Sequence, residues 1–172
     1  SGDNDMDRND YFYAGSLLYA TEDYKGAIEN YSLMRNRTDS IGQIANYNLA
    51  YSYIQIKNKV AAMQAFRDAA SQNHNQDIAE DAFFNYAKLA FDLNNDPSGF
   101  KSYIDRYSDR KRGDKIYSYM ALAALINRDY AAAVDAYDKI DELDEDMKRN
   151  YMKANYLRAE QLISSGSYRN AV

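Results

Sequence analysis

The sequence predicts an all-α chain of stacked αα-hairpins, and two observations carry that prediction. The first is composition. Among 172 residues there are one proline and seven glycines, against 18 tyrosines. Strands joined by tight turns normally use more proline and glycine than this, whereas long helices with short connections need little of either. The second is a short motif that returns at intervals of 34 to 38 residues.

The motif spans Asp23 to Tyr31, Asn58 to Phe66 and Asp129 to Tyr137, and it begins again at Ser167 before the chain stops at Val172. Each copy opens on a residue whose side chain can cap a helix. In the complete copies an alanine follows four positions on, and an aromatic ring four later. That spacing sets the alanine and the ring on one helix face. A degenerate copy has Gly99 in the alanine place and Tyr103 in the ring place. The small residue recurs at spacings of 35 (Ala27 to Ala62), 37 (to Gly99), 34 (to Ala133) and 38 (to Ala171). About twelve residues upstream of each lies a second small residue: Gly15, Ala50, Ala87, Ala121 and Ala159. Three residues beyond those stand Leu18, Tyr53, Ala90, Ala124 and Leu162. Small residues on both helices of a hairpin let the backbones approach, and the ring fills the space toward the next hairpin.

These positions resemble the tetratricopeptide repeat, with its period of about 34 and small residues at its eighth and twentieth positions. The resemblance spans residues 1–172 as one repeat domain, with repeats over roughly 8–42, 43–79, 80–113, 114–151 and a truncated 152–172. It implies a right-handed superhelical solenoid of about 4.5 hairpins. Departures from the pattern are Asn46 and Asn155 where a large apolar residue is usual, Arg158 in place of a core leucine, and no proline after the second helices. The extra residues in the wider spacings are expected to lengthen the first helix or the inter-repeat turn. Such loose repeats resemble those of bacterial periplasmic lipoproteins of the Tol–Pal-associated and outer-membrane-assembly type, in which segments like 77–84 open a repeat. That resemblance points to the periplasm or envelope, not the cytoplasm. Ser1-Gly2 reads as a tagging remnant, so a native targeting segment upstream is expected to be missing. A stack that stops inside its fifth hairpin is expected to be a fragment of a longer array, able to self-associate through the unfinished repeat.

In the family the first helix of each hairpin lines a concave groove. The resemblance puts Phe12, Ser16 and Tyr19 there from the first repeat, and Ile44, Tyr47, Tyr51 and Ile54 from the second. The third contributes Asp81, Phe84, Lys88 and Phe91, and the fourth Lys115, Ser118, Leu122 and Leu125. The fifth contributes Lys153, Tyr156, Glu160 and Ile163. An aromatic groove suits an extended segment or an amphipathic helix, with tyrosine hydroxyls left for a partner's backbone. Some tetratricopeptide domains clamp a C-terminal carboxylate with lysine, arginine and asparagine. The matching places here hold Phe12, Ser16 and Tyr47, so that mode is not expected.

The remaining chemistry is sparse. The net charge of −5 argues against nucleic acid and against adsorption on anionic lipid. No apolar run reaches the ~20 residues of a membrane span. Without cysteine, and with His74 as the lone histidine, no zinc site or thiol nucleophile can be assembled, and no metal or cofactor is expected. The segment 94–99 carries oxygen ligands in the order of a calcium loop, but Asp105 instead of glutamate holds the twelfth place. An inter-hairpin turn with Pro97 in the first turn of a helix is the simpler reading. Arg106, Arg110, Lys111, Arg112 and Lys115 are expected to be neutralised by Asp105, Asp109 and Asp114. The acidic run from Asp138 to Asp146 reads as solvated helix termini. No glycine-rich phosphate loop occurs.

The expected function is therefore a non-enzymatic scaffold that binds a peptide, helix or partner domain in the groove. The alternative is a structural segment of a larger array or oligomer, whose groove its own chain fills. An all-α toroid hydrolase with acids at helix ends is the third, weakest reading.

Overall fold

A computed structural model describes residues 7–107 and 112–166. Among these, nine α-helices account for all the regular structure. They are α1 (Arg8–Ala20), α2 (Tyr24–Ser32), α3 (Ser40–Gln55), α4 (Lys59–Ala70), α5 (Gln76–Asn94), α6 (Ser98–Tyr107), α7 (Gly113–Ile126), α8 (Tyr130–Tyr137) and α9 (Glu145–Ser164). No helix among the described residues is long and apolar enough to cross a membrane. The chain divides into two compact units, Ser1–Asp96 and Pro97–Val172. In the first, each of α1 to α5 packs on the next, and α3 also touches both α1 and α5. In the second, α6 to α9 pack in the same sequential way, and α9 also reaches α7.

The repeated motif is where the helix pairs close. Asp23, Asn58 and Asp129 accept the backbone N–H of Gly26, Ala61 and Ala132 at 3.0, 3.2 and 3.0 Å, capping α2, α4 and α8. Before each cap stands a non-glycine residue in the left-handed region: Glu22 (φ 63°), Lys57 (φ 63°) and Arg128 (φ 58°). The backbone N–H of the cap residue then returns to the preceding helix, Asp23 to Leu18 at 2.8 Å, Asn58 to Tyr53 at 2.9 Å and Asp129 to Ala124 at 2.9 Å. This geometry ends one helix and starts the next with its terminal carbonyls satisfied.

The small residues and rings pack as their spacing predicts. Ala27, Ala50, Ala62, Ala87, Ala121 and Ala133 are fully buried, and Tyr31, Phe66, Tyr103 and Tyr137 are at most 2% exposed. Gly15 and Gly99 are buried too, while Ala159 keeps part of its surface. At Gly15 the approach is so close that a Cβ would lie 2.9 Å from the Tyr31 ring. The variable spacing resides in the first helices. Spacings of 34, 35, 37 and 38 residues enclose α7, α3, α5 and α9, of 14, 16, 19 and 20 residues.

Polar side chains hold the connections. Gln43, completely buried, donates to the carbonyls of Ala69, Gln72 and Asn75 and accepts the N–H of Asn75 at 2.8 Å. It fastens the start of α3 to the turn between α4 and α5. Buried Asn46 donates to the Arg35 carbonyl at 3.4 Å, so it serves the α2–α3 connection in place of a large apolar residue. Beside it a Cβ on Gly42 would lie 2.2 Å from the Arg37 carbonyl oxygen. In the second unit the two carboxylate oxygens of Asp114 accept the backbone N–H of Asp141 and Glu142 at 3.0 and 3.1 Å, because the turn after α8 exposes those donors. Asp109, Arg110 and Lys111 lie outside the described residues, as does the motif copy at 167–172. The acidic run is engaged at helix ends: Asp138 accepts the Tyr151 hydroxyl, Asp144 caps α9 through Met147 N–H at 2.8 Å, Glu145 pairs with Lys148, and Asp146 pairs with Arg149. At residues 94–99, Asn95 takes the left-handed conformation (φ 52°). The helix α6 starts at Ser98, one residue after Pro97, whose carbonyl accepts Phe100 N–H at 3.0 Å. His74 is exposed, its Nε2 2.7 Å from the Thr38 carbonyl.

Candidate functional site

The candidate groove residues fall on the first helices of the predicted hairpins, α1, α3, α5, α7 and α9. In the first unit three of them, Tyr47, Tyr51 and Asp81, converge on one polar and aromatic cluster between α3 and α5. Tyr47 and Tyr51 sit one turn apart on α3, ring centroids 5.0 Å apart and edge to face. Both rings also meet buried Phe66 of α4 edge to face, at 6.3 and 5.1 Å. Such T-shaped pairs set the positive ring edge against the negative face. Both hydroxyls donate to the same oxygen, Oδ2 of Asp81 on α5, each at 2.8 Å. Asn85, one turn further along α5, donates to that oxygen at 3.0 Å and to the Tyr51 hydroxyl at 3.3 Å.

The electrostatics follow from this placement. Partial burial is the largest cause lifting both hydroxyls above the ordinary tyrosine value. For Tyr47 the neighbouring Tyr51 hydroxyl and the Asp81 carboxylate add to it. For Tyr51 the carboxylate raises while Tyr47 and Asn85 lower. A phenolate here would lose water and face a carboxylate, so the neutral donors are favoured. The hydroxyls expected to stay available for a partner's backbone are thus engaged within the chain, and what these two residues offer outward is ring surface.

A second, smaller link joins α1, α2 and α3. Ser16 accepts the Tyr31 hydroxyl at 3.2 Å and donates to the Phe12 carbonyl at 2.8 Å, while Asn48 donates to Tyr31 at 3.2 Å. Phe12 lies 6.2 Å from Tyr31, ring to ring. Tyr19 is half-buried against the edge of Tyr24, and burial raises its hydroxyl, with Tyr24 and Tyr31 adding. Ile54 packs on the edge of the first unit's core. Phe84, Lys88 and Phe91 on α5 are half-buried.

In the second unit, Ser118 and Leu122 of α7 line a cavity of about 340 Å³, together with Lys115, Tyr119, Tyr137, Met147 and Asn150. Leu125 instead packs against that unit's core. Tyr156 is 63% exposed and donates to Glu160 one turn on, at 2.8 Å. Hydrogen bonding to that carboxylate is the main cause raising its hydroxyl. Glu160 also edges a wider opening of about 640 Å³ with Arg128, Tyr130, Leu157 and Ile163. Among the described residues no group of three or more histidine, aspartate or glutamate side chains is placed to hold a metal.

Sequence reasoning named Tyr47, Tyr51 and Asp81 but not their junction, and it missed Asn85 and Asn48. A signal was present. Tyr47 and Asp81, like Tyr51 and Asn85, stand 34 residues apart, close to the 37 that separate Ala50 from Ala87. No protein-family model matches the chain, and no curated protein matches it.

Proposed function

We propose that the chain is a non-enzymatic interaction scaffold of the tetratricopeptide kind. In this reading its helix pairs stack into a right-handed solenoid, and the first helices present a face that holds a peptide, a helix or a partner domain. The observation that supports it is partial burial. Phe12, Tyr47, Tyr51 and Phe84 are only partly buried, on the helices whose Gly15, Ala50 and Ala87 are buried. Aromatic rings on rigid elements give contact area at low entropic cost. A placement at the bacterial envelope belongs to the same proposal and rests on the resemblance alone.

The engagement of Tyr47 and Tyr51 by Asp81 supports a second reading, in which these positions fasten neighbouring repeats of one array. Peptide selection separates the two. Peptides taken from a displayed random library against the intact chain should bind at least tenfold more weakly to Phe84→Ala and to Lys88→Ala, one turn apart on α5, with both variants still folded by circular dichroism at the temperature of the assay. Equal binding to both variants, or no selected peptide at all, would overturn the scaffold reading.

A further inference from the structure

The outward face of α9 carries Met152, Tyr156 and Ile163, exposed by 72, 63 and 50%. At ~100° per residue these three fall within about 40° of one another, one apolar stripe along three turns. The opposite side carries Ala154, which is completely buried. Two charges flank the stripe: Lys153, three residues before Tyr156, and Glu160, four residues after it. Lys153 is exposed and makes no ion pair among the described residues. Glu160 accepts the Tyr156 hydroxyl and has no cationic partner there.

We propose that this face docks a second copy of the chain, α9 against α9, antiparallel about a two-fold axis between Tyr156 and Leu157. That axis carries position 153 of one copy onto position 160 of the other. Each lysine then meets a glutamate, twice over, while the Tyr156 rings meet near the axis. In a parallel copy the two-fold axis puts the lysine–glutamate flanks of the two copies on opposite sides of the contact, where neither ion pair can form. The self-complementary order of charge therefore selects both the partner and its direction. A contact built on one helix face lies below the ~1,200 Å² of a standard stable interface, so the dimer is weak and concentration-dependent. The inference shares Tyr156 and Glu160 with the proposed groove but does not depend on peptide binding. Its variants lie on α9, whereas Phe84 and Lys88 belong to α5, so either proposal can fail alone.

Sedimentation equilibrium of the whole chain at low salt, over a wide concentration range, tests it. The mass should rise from 19.8 kDa toward twice that value. Tyr156→Ser, at an exposed position, should leave the helical content intact and abolish the rise. Lys153→Glu alone and Glu160→Lys alone should each weaken association about tenfold, and the double exchange K153E/E160K should restore it. Three results would each overturn the proposal: a chain that stays monomeric throughout, a Tyr156→Ser variant that still dimerises, or a double exchange that fails to recover. In the monomeric case, nitration of Tyr156 tells what covers the face instead. Resistance means the chain's own residues, and ready reaction means an open surface awaiting a different protein.

Discussion

At Asp81 two tyrosine hydroxyls and one amide converge on a single carboxylate oxygen, and this fixes how the first unit should respond to alkali. The folded chain holds the protons of Tyr47 and Tyr51 above the ordinary tyrosine value. The unfolded chain releases them near pH 10. Between those points the native state binds more protons than the unfolded state, so stability falls as pH rises; below about pH 10 the contribution is fully present. The limiting slope is about 1.4 kcal/mol per pH unit for each tyrosine, and less here because both rings remain partly in solvent. The pair titrates jointly, since both hydroxyls share one acceptor. Replacing both tyrosines with phenylalanine should cost about 1–3 kcal/mol at pH 8 and flatten the loss between pH 9 and pH 11. Urea midpoints across that range measure it. An alkaline loss identical in wild type and variant would show that the cluster does not hold these protons.

The element that recurs most faithfully is the turn into α2, α4 and α8, and it is built against residue preference. Glu22, Lys57 and Arg128 each occupy the left-handed region, where a Cβ crowds the following carbonyl at a cost of about 1–2 kcal/mol. Glycine is free of that crowding, although it adds entropy to the unfolded chain. Glu22→Gly, Lys57→Gly and Arg128→Gly should each raise stability by about 0.5–1 kcal/mol, read as a higher urea midpoint with unchanged slope. A fall at any of the three would mean that the side chain holds the turn through its own contacts. These turns also show what the sequence conceals. The caps Asp23, Asn58 and Asp129 were legible because their residue type and the alanine spacing coincide. The backward turn before them was not, because no glycine marks it. Helix packing was legible at Ala27, Ala62 and Ala133, where a small residue and a ring repeat at fixed intervals. The hold of Gln43 on the Asn75 turn was not, since an amide that bonds to backbone carbonyls imposes no spacing on other side chains. The junction at Asp81 lay between. Tyr47, Tyr51 and Asp81 were visible as residues facing a groove and Asn85 was not, because hydrogen bonding across helices adds no pattern of its own to the repeat.

Across the molecule, burial is uneven within each unit, and exchange rates should follow it. In the first unit α3 and α4 enclose Ala45, Leu49, Ala50, Ala65, Phe66 and Ala69, each at most 1% exposed. In the second unit α9, with 20 residues, fully buries Ala154 alone. Its first turn is held by exposed ion pairs such as Glu145 with Lys148, and pairs of that kind contribute about 0–1 kcal/mol. Backbone amides open in cooperative groups whose free energy tracks the apolar contact holding them. Hydrogen exchange at low protein concentration should therefore be slowest in the centres of α3 and α4 and much faster along α9. Protection comparable to that of α3 in the dilute chain would mean that α9 is anchored by more than Ala154 and its flanking contacts. Raising the concentration should then slow α9 selectively, because a second copy laid along Met152, Tyr156 and Ile163 removes those turns from water. Tyr156→Ser should abolish that concentration dependence and leave α3 and α4 unchanged, which separates docking on α9 from a general gain in stability.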